Sequence, residues 1–378
     1  MTGFLRREPV VNRQMAITGA RLIADAPSAA ESLRMLAGVA DVWPATHSVL
    51  VSLGNAPVDA ALLDWKAPEN AVLEFPAAAL ASVDGRALAL RLDALGTALC
   101  LGGYVPDSEV PEPPRFRFVL ADARRYPRID GTPAVPLATG LEDHDAFADA
   151  VDYGYWGAAG WFFLHGAPLF TTKLTAGHAQ IIHVLNLVRQ NAEVGEVEEA
   201  LKKDITISFK LLRYINSAGF GLAKEIRSFR HAVTLIGYDK LNKWLSLLLV
   251  TASRDPAASA LMQTAIVRGR FMELAAAGAI EKKQLDNLFI TGSFSLLDML
   301  LGTKIDAVLQ EMRLPEAIGE ALLARSGPYA PWLALALACE RDDVGELAER
   351  AASLGLDAAR VNRAQVEALA FADSLQLD

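Results

Sequence analysis

Cysteine is nearly absent from this chain of 378 residues, occurring only at Cys100 and Cys339. The two are far apart and each sits in an apolar run, so they read as small buried hydrophobes. No disulfide framework follows, and a reducing cytoplasm is implied. A cationic surplus is missing as well. The 36 Lys and Arg face 45 Asp and Glu, giving a net charge of -9 and a pI near 5.3. This argues against broad nucleic-acid binding, which needs cationic surface to displace counterions. Long hydrophobic runs are lacking. The stretch LSLLLVTA from Leu245 is far too short to span a bilayer, and the opening MTGFLRREPVVNRQ has no apolar core of a secretory signal. Gly-rich phosphate loops, nucleophile elbows and Cys/His zinc spacings do not occur. Histidine stops at His231, although the chain runs on to Asp378.

What is present is apolar and well patterned. Hydrophobic residues make up 52% and charged residues 21%, which suits a packed chain of two domains. Up to about Phe170, short apolar strands alternate with helical or loop segments. The strands are expected at Pro9–Asn12, Ile17–Ala24, Val49–Leu53, Ala71–Phe75, Thr97–Leu101, Arg117–Leu120, Val135–Ala138 and Trp161–Leu164. Runs such as VLVSL and TALCL are continuously apolar, as parallel strands buried on both faces are. Ser28–Val39, Ala77–Leu95 and Glu142–Ala158 can supply crossover helices, whereas the proline-rich Val105–Pro114 reads as a loop. The pattern predicts a trimmed α/β barrel over residues 1–170.

From about Thr172 the sequence turns all-helical, and residues 171–378 form the second expected domain. Helices are expected at His178–Gln190, Glu193–Lys203, Ile205–Ala218, Ser228–Tyr238, Leu241–Ala252, Pro256–Gly278 and Lys282–Leu301. Lys304–Met312, Pro315–Ala324, Ala330–Glu340, Val344–Leu354 and Ala358–Leu375 complete the series.

In an α/β barrel, functional groups gather at the C-terminal ends of the strands. Those ends offer little: Glu74, Ser52, Asp122, Thr139 and Glu142, with Gly102 and Gly103 after TALCL. A divalent ion requires a cluster of carboxylates that these do not make. The same segments resemble the EAL domain, the cyclic di-GMP phosphodiesterase barrel. In ITGARLIAD the family's metal-binding glutamate falls on Arg21, and in VLVSL its asparagine falls near Val51 and Ser52. Glu74 of LEFP is retained. The two consecutive aspartates fall on Gly102 and Gly103, the following lysine on Leu120, and the first acid of LATGLED on Thr139. Glu142 keeps the second acidic position, and the glutamine before the last strand falls on Ala159. The resemblance therefore implies a modified, TIM-like barrel of degenerate EAL type. Two readings of Arg21 stay open: a surface arginine, or a guanidinium that replaces the metal and pairs with Glu74.

The helical region carries a more diagnostic string, LLRYINSAGFGLAKEIRSFRHAVTLIGYDKLNKW, from Leu211 to Trp244. Asn216, Ser217 and Gly219 can end a helix, Gly221 permits a tight turn, Ser228 can cap the next helix and Gly237 can end it. With Phe220 in the same string, it resembles the core of the HDOD domain, an all-helical relative of the metal-dependent HD phosphohydrolases. In Gly292–Gly302 the adjacent His-Asp pair of those enzymes falls on Ser295 and Leu296, leaving Asp298 as a capping or surface group.

Between Lys202 and Lys243 nine Lys and Arg face three acids. A solvated face explains them. Docking of an acidic partner on Lys224, Arg227 and Arg230 is the alternative. The two resemblances together imply a bacterial, cytoplasmic EAL-HDOD signalling protein within cyclic di-GMP regulation. It is expected to lack catalytic activity, to bind no metal or cofactor, and to contact protein partners but neither nucleic acid nor membrane. A cyclic di-GMP receptor without hydrolysis and a cyclic di-GMP phosphodiesterase are the alternatives.

Overall fold

The computed structural model describes residues 3–165, 176–202, 229–252 and 258–375. Eight strands close a barrel in sequence order. They are β1 (Arg6–Asn12), β2 (Ile17–Ile23), β3 (Ser48–Ser52), β4 (Ala71–Pro76), β5 (Leu99–Gly102), β6 (Phe116–Asp122), β7 (Val135–Thr139) and β8 (Gly157–Ala159). Strands β2 to β8 run parallel, whereas β1 lies antiparallel to both of its neighbours, β2 and β8. This is a TIM-like barrel with one reversed strand. The apolar runs give strands buried on both faces, as in β5, where all four residues are buried. Val10, Leu50, Val72, Cys100, Leu120, Leu137 and Ala159 form one packed cluster, each turning in from a different strand.

The last strand is not where the aromatic run predicts it. Gly157–Ala159 forms β8, and Phe162–Leu164 is a short 3-10 turn. Small residues are what the closure needs. A Cβ on Gly157 would stand 2.0 Å from the Val11 carbonyl oxygen across the seam. The aromatic side chains instead pack outside, with Phe162 stacked on Phe147 at 4.8 Å between centroids.

Among the described residues three α-helices serve as crossovers, each opened by a side-chain cap. Ser28 caps α1 (Ala29–Ala37), Ser82 caps α2 (Val83–Ala94) and Asp143 caps α3 (His144–Asp152). The expected helix over Glu142–Ala158 is thus shorter, because its final residues are taken by β8. The other crossovers are loops and 3-10 turns. The compact unit around the barrel also includes Cys339–Ala351 and Asp357–Val366.

The second unit is helical. It contains α4 (Ala176–Arg189), α5 (Val194–Lys202), α6 (Phe229–Val250), α7 (Ser259–Ala276), α8 (Lys282–Phe294) and α9 (Leu297–Leu301), then α10 (Ile305–Gln310), α11 (Glu316–Gly319) and α12 (Ala330–Ala338). The chain continues into α13 (Val344–Ser353) and α14 (Ala358–Ser374). Gly237 kinks α6 with φ 75° and ψ 171°, so the expected break falls on the expected residue. The expected single helix Lys282–Leu301 is divided at Ser295 and Leu296, where the Ser295 hydroxyl donates to the Gly292 carbonyl at 2.7 Å. The expected helix Ile205–Ala218 lies outside the described residues.

Candidate functional site at the barrel mouth

Arg21 on β2 and Glu74 on β4 project to the same end of the barrel. The Arg21 Nε donates to Glu74 Oε2 at 2.7 Å and its Nη2 donates to Oε1 at 2.9 Å, a two-bond fork. The third edge is also taken, because Nη1 donates to Glu8 Oε2 at 2.8 Å. Glu8 stands directly opposite Arg21 in the β1–β2 ladder, so the pair follows from strand register. Arg21 and Glu74 expose 17% and 12% of their side chains, which rules out the surface reading of Arg21. Burial works against the Arg21 charge, but Glu74 and Glu8 outweigh it and hold its pKa above the ordinary arginine value. Just below, burial pushes the Cys100 thiol well up, with Glu74 adding to the effect and Arg21 opposing it.

The remaining residues singled out in the sequence do not all join this cluster. Gly102 does: a Cβ there would lie 2.5 Å from Glu74 Oε1, so the missing side chain makes room for the carboxylate. Gly103 follows with φ 69° in open space. Leu120 and Ala159 belong to the apolar cluster inside the barrel. The Thr139 hydroxyl donates to the Ala121 carbonyl at 3.2 Å. Glu142 is exposed and acts on Arg124, which is forked onto Asp122 at 3.0 and 3.1 Å. Glu8 was missed because the charged run Arg6–Glu8 does not look like a strand. The short β1–β2 hairpin is the signal that would have found it.

The EAL resemblance implies a divalent ion at this mouth, and the residues present do not fit one. Both Glu74 oxygens accept from Arg21, whose permanent charge stands beside them. Gly102, Leu120 and Ala159 offer no side-chain ligand. Among the described residues no group of three or more His, Cys, Asp or Glu could hold an ion. At the positions of the HD pair, Arg268 Nη1 donates to Ser295 Oγ at 2.9 Å. Asp298 caps the Met299 N–H at 2.9 Å.

Of the HDOD string, Asn216, Ser217, Gly219, Phe220 and Gly221 lie outside the described residues, as do Lys224 and Arg227. Arg230 lies on α6. One member of the basic stretch departs from the expected solvated face. Lys243 is buried, bonded to Glu273 and 3.4 Å from Asp286.

A closed eight-stranded barrel precedes a helical domain, and within the latter residues 176–294 match the model of the HDOD domain. The match lies within the helical domain, of which it covers part, and does not reach the barrel. Cyclic di-GMP phosphodiesterase CdgJ of Vibrio cholerae is 28% identical over 233 residues, covering 61% of this chain and 54% of the relative. The uncharacterized protein YuxH of Bacillus subtilis is 27% identical over 203 residues, covering 53% and 49%. The chain therefore spans about half the length of the curated relatives it matches. A solved HDOD domain protein of unknown function from Geobacter sulfurreducens aligns with a TM-score of 0.39 and 17% identity, covering 52% of this chain and 91% of that one. The first relative corrects one expectation. Homology to a protein named as a phosphodiesterase overturns the reading of this chain as a non-enzyme.

Proposed function

We propose that the chain works in cyclic di-GMP-related signal transduction. In this reading an EAL-like barrel in the first 170 residues takes the nucleotide, and the HDOD-bearing remainder contacts partner proteins. The observation that carries the reading is the 233-residue similarity to CdgJ, a stretch longer than the HDOD match at residues 176–294. The ordered polar cluster of Arg21, Glu8 and Glu74 at the barrel mouth supports it. Such a cluster sits where this barrel class places its functional groups. Cytoplasmic placement belongs to the same proposal. Among the described residues, no helix is long and apolar enough to cross a membrane.

The test is calorimetric titration of the full chain with cyclic di-GMP, with and without magnesium. A saturable heat is expected, and chromatography of the same samples reports cleavage to the linear dinucleotide. Cleavage that disappears in Glu74→Ala would assign the reaction to the barrel mouth. Neither heat nor cleavage would overturn the reading. For the partner-binding half, an acidic protein docked on Lys224, Arg227 and Arg230 should associate faster at low salt. Recovery of the same partners after all three are changed to Glu, together with their loss on deleting residues before Leu169, would move the interaction surface to the barrel.

A further inference from the structure

Arg189 closes α4 in an arrangement that the described residues leave incomplete. Its Nε donates to Asn242 Oδ1 of α6 at 2.8 Å, which fixes the plane of the guanidinium. Its two terminal nitrogens, Nη1 and Nη2, are shielded from solvent and have no hydrogen-bond partner among the described residues. Burial pulls its pKa down to about 10, so the group remains charged at neutral pH. A buried cation with idle donors is costly to a fold.

The same side chain lines a cleft of about 420 Å³ within the helical unit, a volume in the range of small-molecule sites. The walls also bring Asn287 of α8 and, beyond α10, Arg313, whose side chain is exposed. Two carboxylates line the cleft without satisfying Arg189. Asp286 is engaged by Lys243 at 3.4 Å, and Asp239 is exposed at the surface. What is missing is a group with two oxygens spaced to accept from both terminal nitrogens.

We propose that this cleft binds an anionic small molecule through a phosphoryl or carboxylate group. Arg189 grips the two oxygens in parallel N–H···O bonds, Asn242 orients the guanidinium, and Arg313 adds a second cation at the rim. The site is separate from the barrel mouth and does not depend on the function proposed for it.

The experiment titrates the full chain with inorganic phosphate, with acetate and with chloride at equal ionic strength, by calorimetry and thermal melting. Phosphate or acetate is expected to give a saturable heat and a raised Tm that chloride does not. The stronger of the two identifies the group. Arg189→Gln is expected to weaken that binding at least tenfold, and Arg189→Lys to weaken it too, because the ammonium keeps the charge but loses the fork. Arg313→Glu changes an exposed side chain and keeps the test readable should the Arg189 variants fail to fold. It is expected to weaken binding several-fold. Heats indistinguishable from chloride, or unchanged affinity in Arg189→Gln and Arg313→Glu, would overturn the proposal.

Discussion

Arg21 is bound on three edges, and its neighbours are tuned to that occupancy. Glu74 accepts two of its donors and Glu8 a third. Gly102 leaves room for the Glu74 carboxylate. Removing one partner strands the other. Full burial would cost roughly 3–5 kcal/mol. This cluster is partly wet and Glu8 remains, so Glu74→Ala is expected to cost about 2–3 kcal/mol, measured by urea denaturation. A double change of Arg21→Met and Glu74→Leu should cost less than Glu74→Ala alone, because no charge is left uncompensated. Equal losses would show that the ion pair carries nothing. Gly102→Ala forces a methyl against Glu74 and should cost about 1–3 kcal/mol. The Arg21–Glu74 pairing was one of two readings open in the sequence, reached through the EAL resemblance, and the two hydrogen bonds between them decide for it. Glu8 was not legible, because Arg6, Arg7 and Glu8 look like a charged loop until each finds its partner.

At the scale of elements, apolar period placed seven of the eight strands, whereas the helix expected from Ala77 begins at Val83 after a 3-10 turn. The errors fell where one residue type served two purposes. Trp161–Leu164 has the aromatic content of a strand, but the barrel seam admits only the small residues before it. Gly237 was legible as a helix break because its backbone is one that side-chain-bearing residues avoid. Among the described residues a Cβ there would meet nothing within 4 Å, so Gly237→Ala tests backbone strain. The expected loss is about 1–3 kcal/mol, and no loss would mean that α6 can run straight. Asp286 supplies a pH test in the same layer. Burial raises its carboxyl pKa, with Lys243 opposing the shift and Glu273 adding to it. The folded chain therefore holds this proton more tightly than the unfolded one. The stability it contributes is complete below the ordinary aspartate pKa and is lost as pH rises through the raised value. Asp286→Asn removes that slope. The difference in urea midpoint should shift in favour of the variant as pH rises from below the ordinary aspartate pKa through the raised value. A constant difference would contradict the assignment.

At the scale of the whole molecule, the barrel unit is completed by residues far from it in sequence. The Leu5 N–H donates to Asn362 Oδ1 at 2.7 Å, and Asn362 Nδ2 donates to the Gly3 carbonyl at 3.0 Å. Gln365 Nε2 donates to the Leu5 carbonyl at 3.0 Å. Arg7, buried over the Trp161 ring at 4.9 Å, meets Glu340 at 3.2 Å, and Arg6 is bonded to Asp342. Helical periodicity shows that α13 and α14 form, but not which surface they return to. That choice rests on single polar residues such as Asn362 within an otherwise apolar stripe, and no local pattern marks them. The consequence is testable. Ending the chain at Ala338 takes Glu340 from the buried Arg7, worth roughly 3–5 kcal/mol, and removes the Asn362 acceptor of the Leu5 N–H, worth about 1–3 kcal/mol. Together these approach the total stability of about 5–15 kcal/mol that a domain possesses. The shortened chain is expected to lose near-ultraviolet circular dichroism and to be cut rapidly by protease within β1 and β2. Asn362→Leu, which removes two of the bonds while keeping the volume, should cost about 1–3 kcal/mol and leave the barrel folded. A shortened chain that melts cooperatively at the full-length temperature would show that the barrel stands without its C-terminal helices.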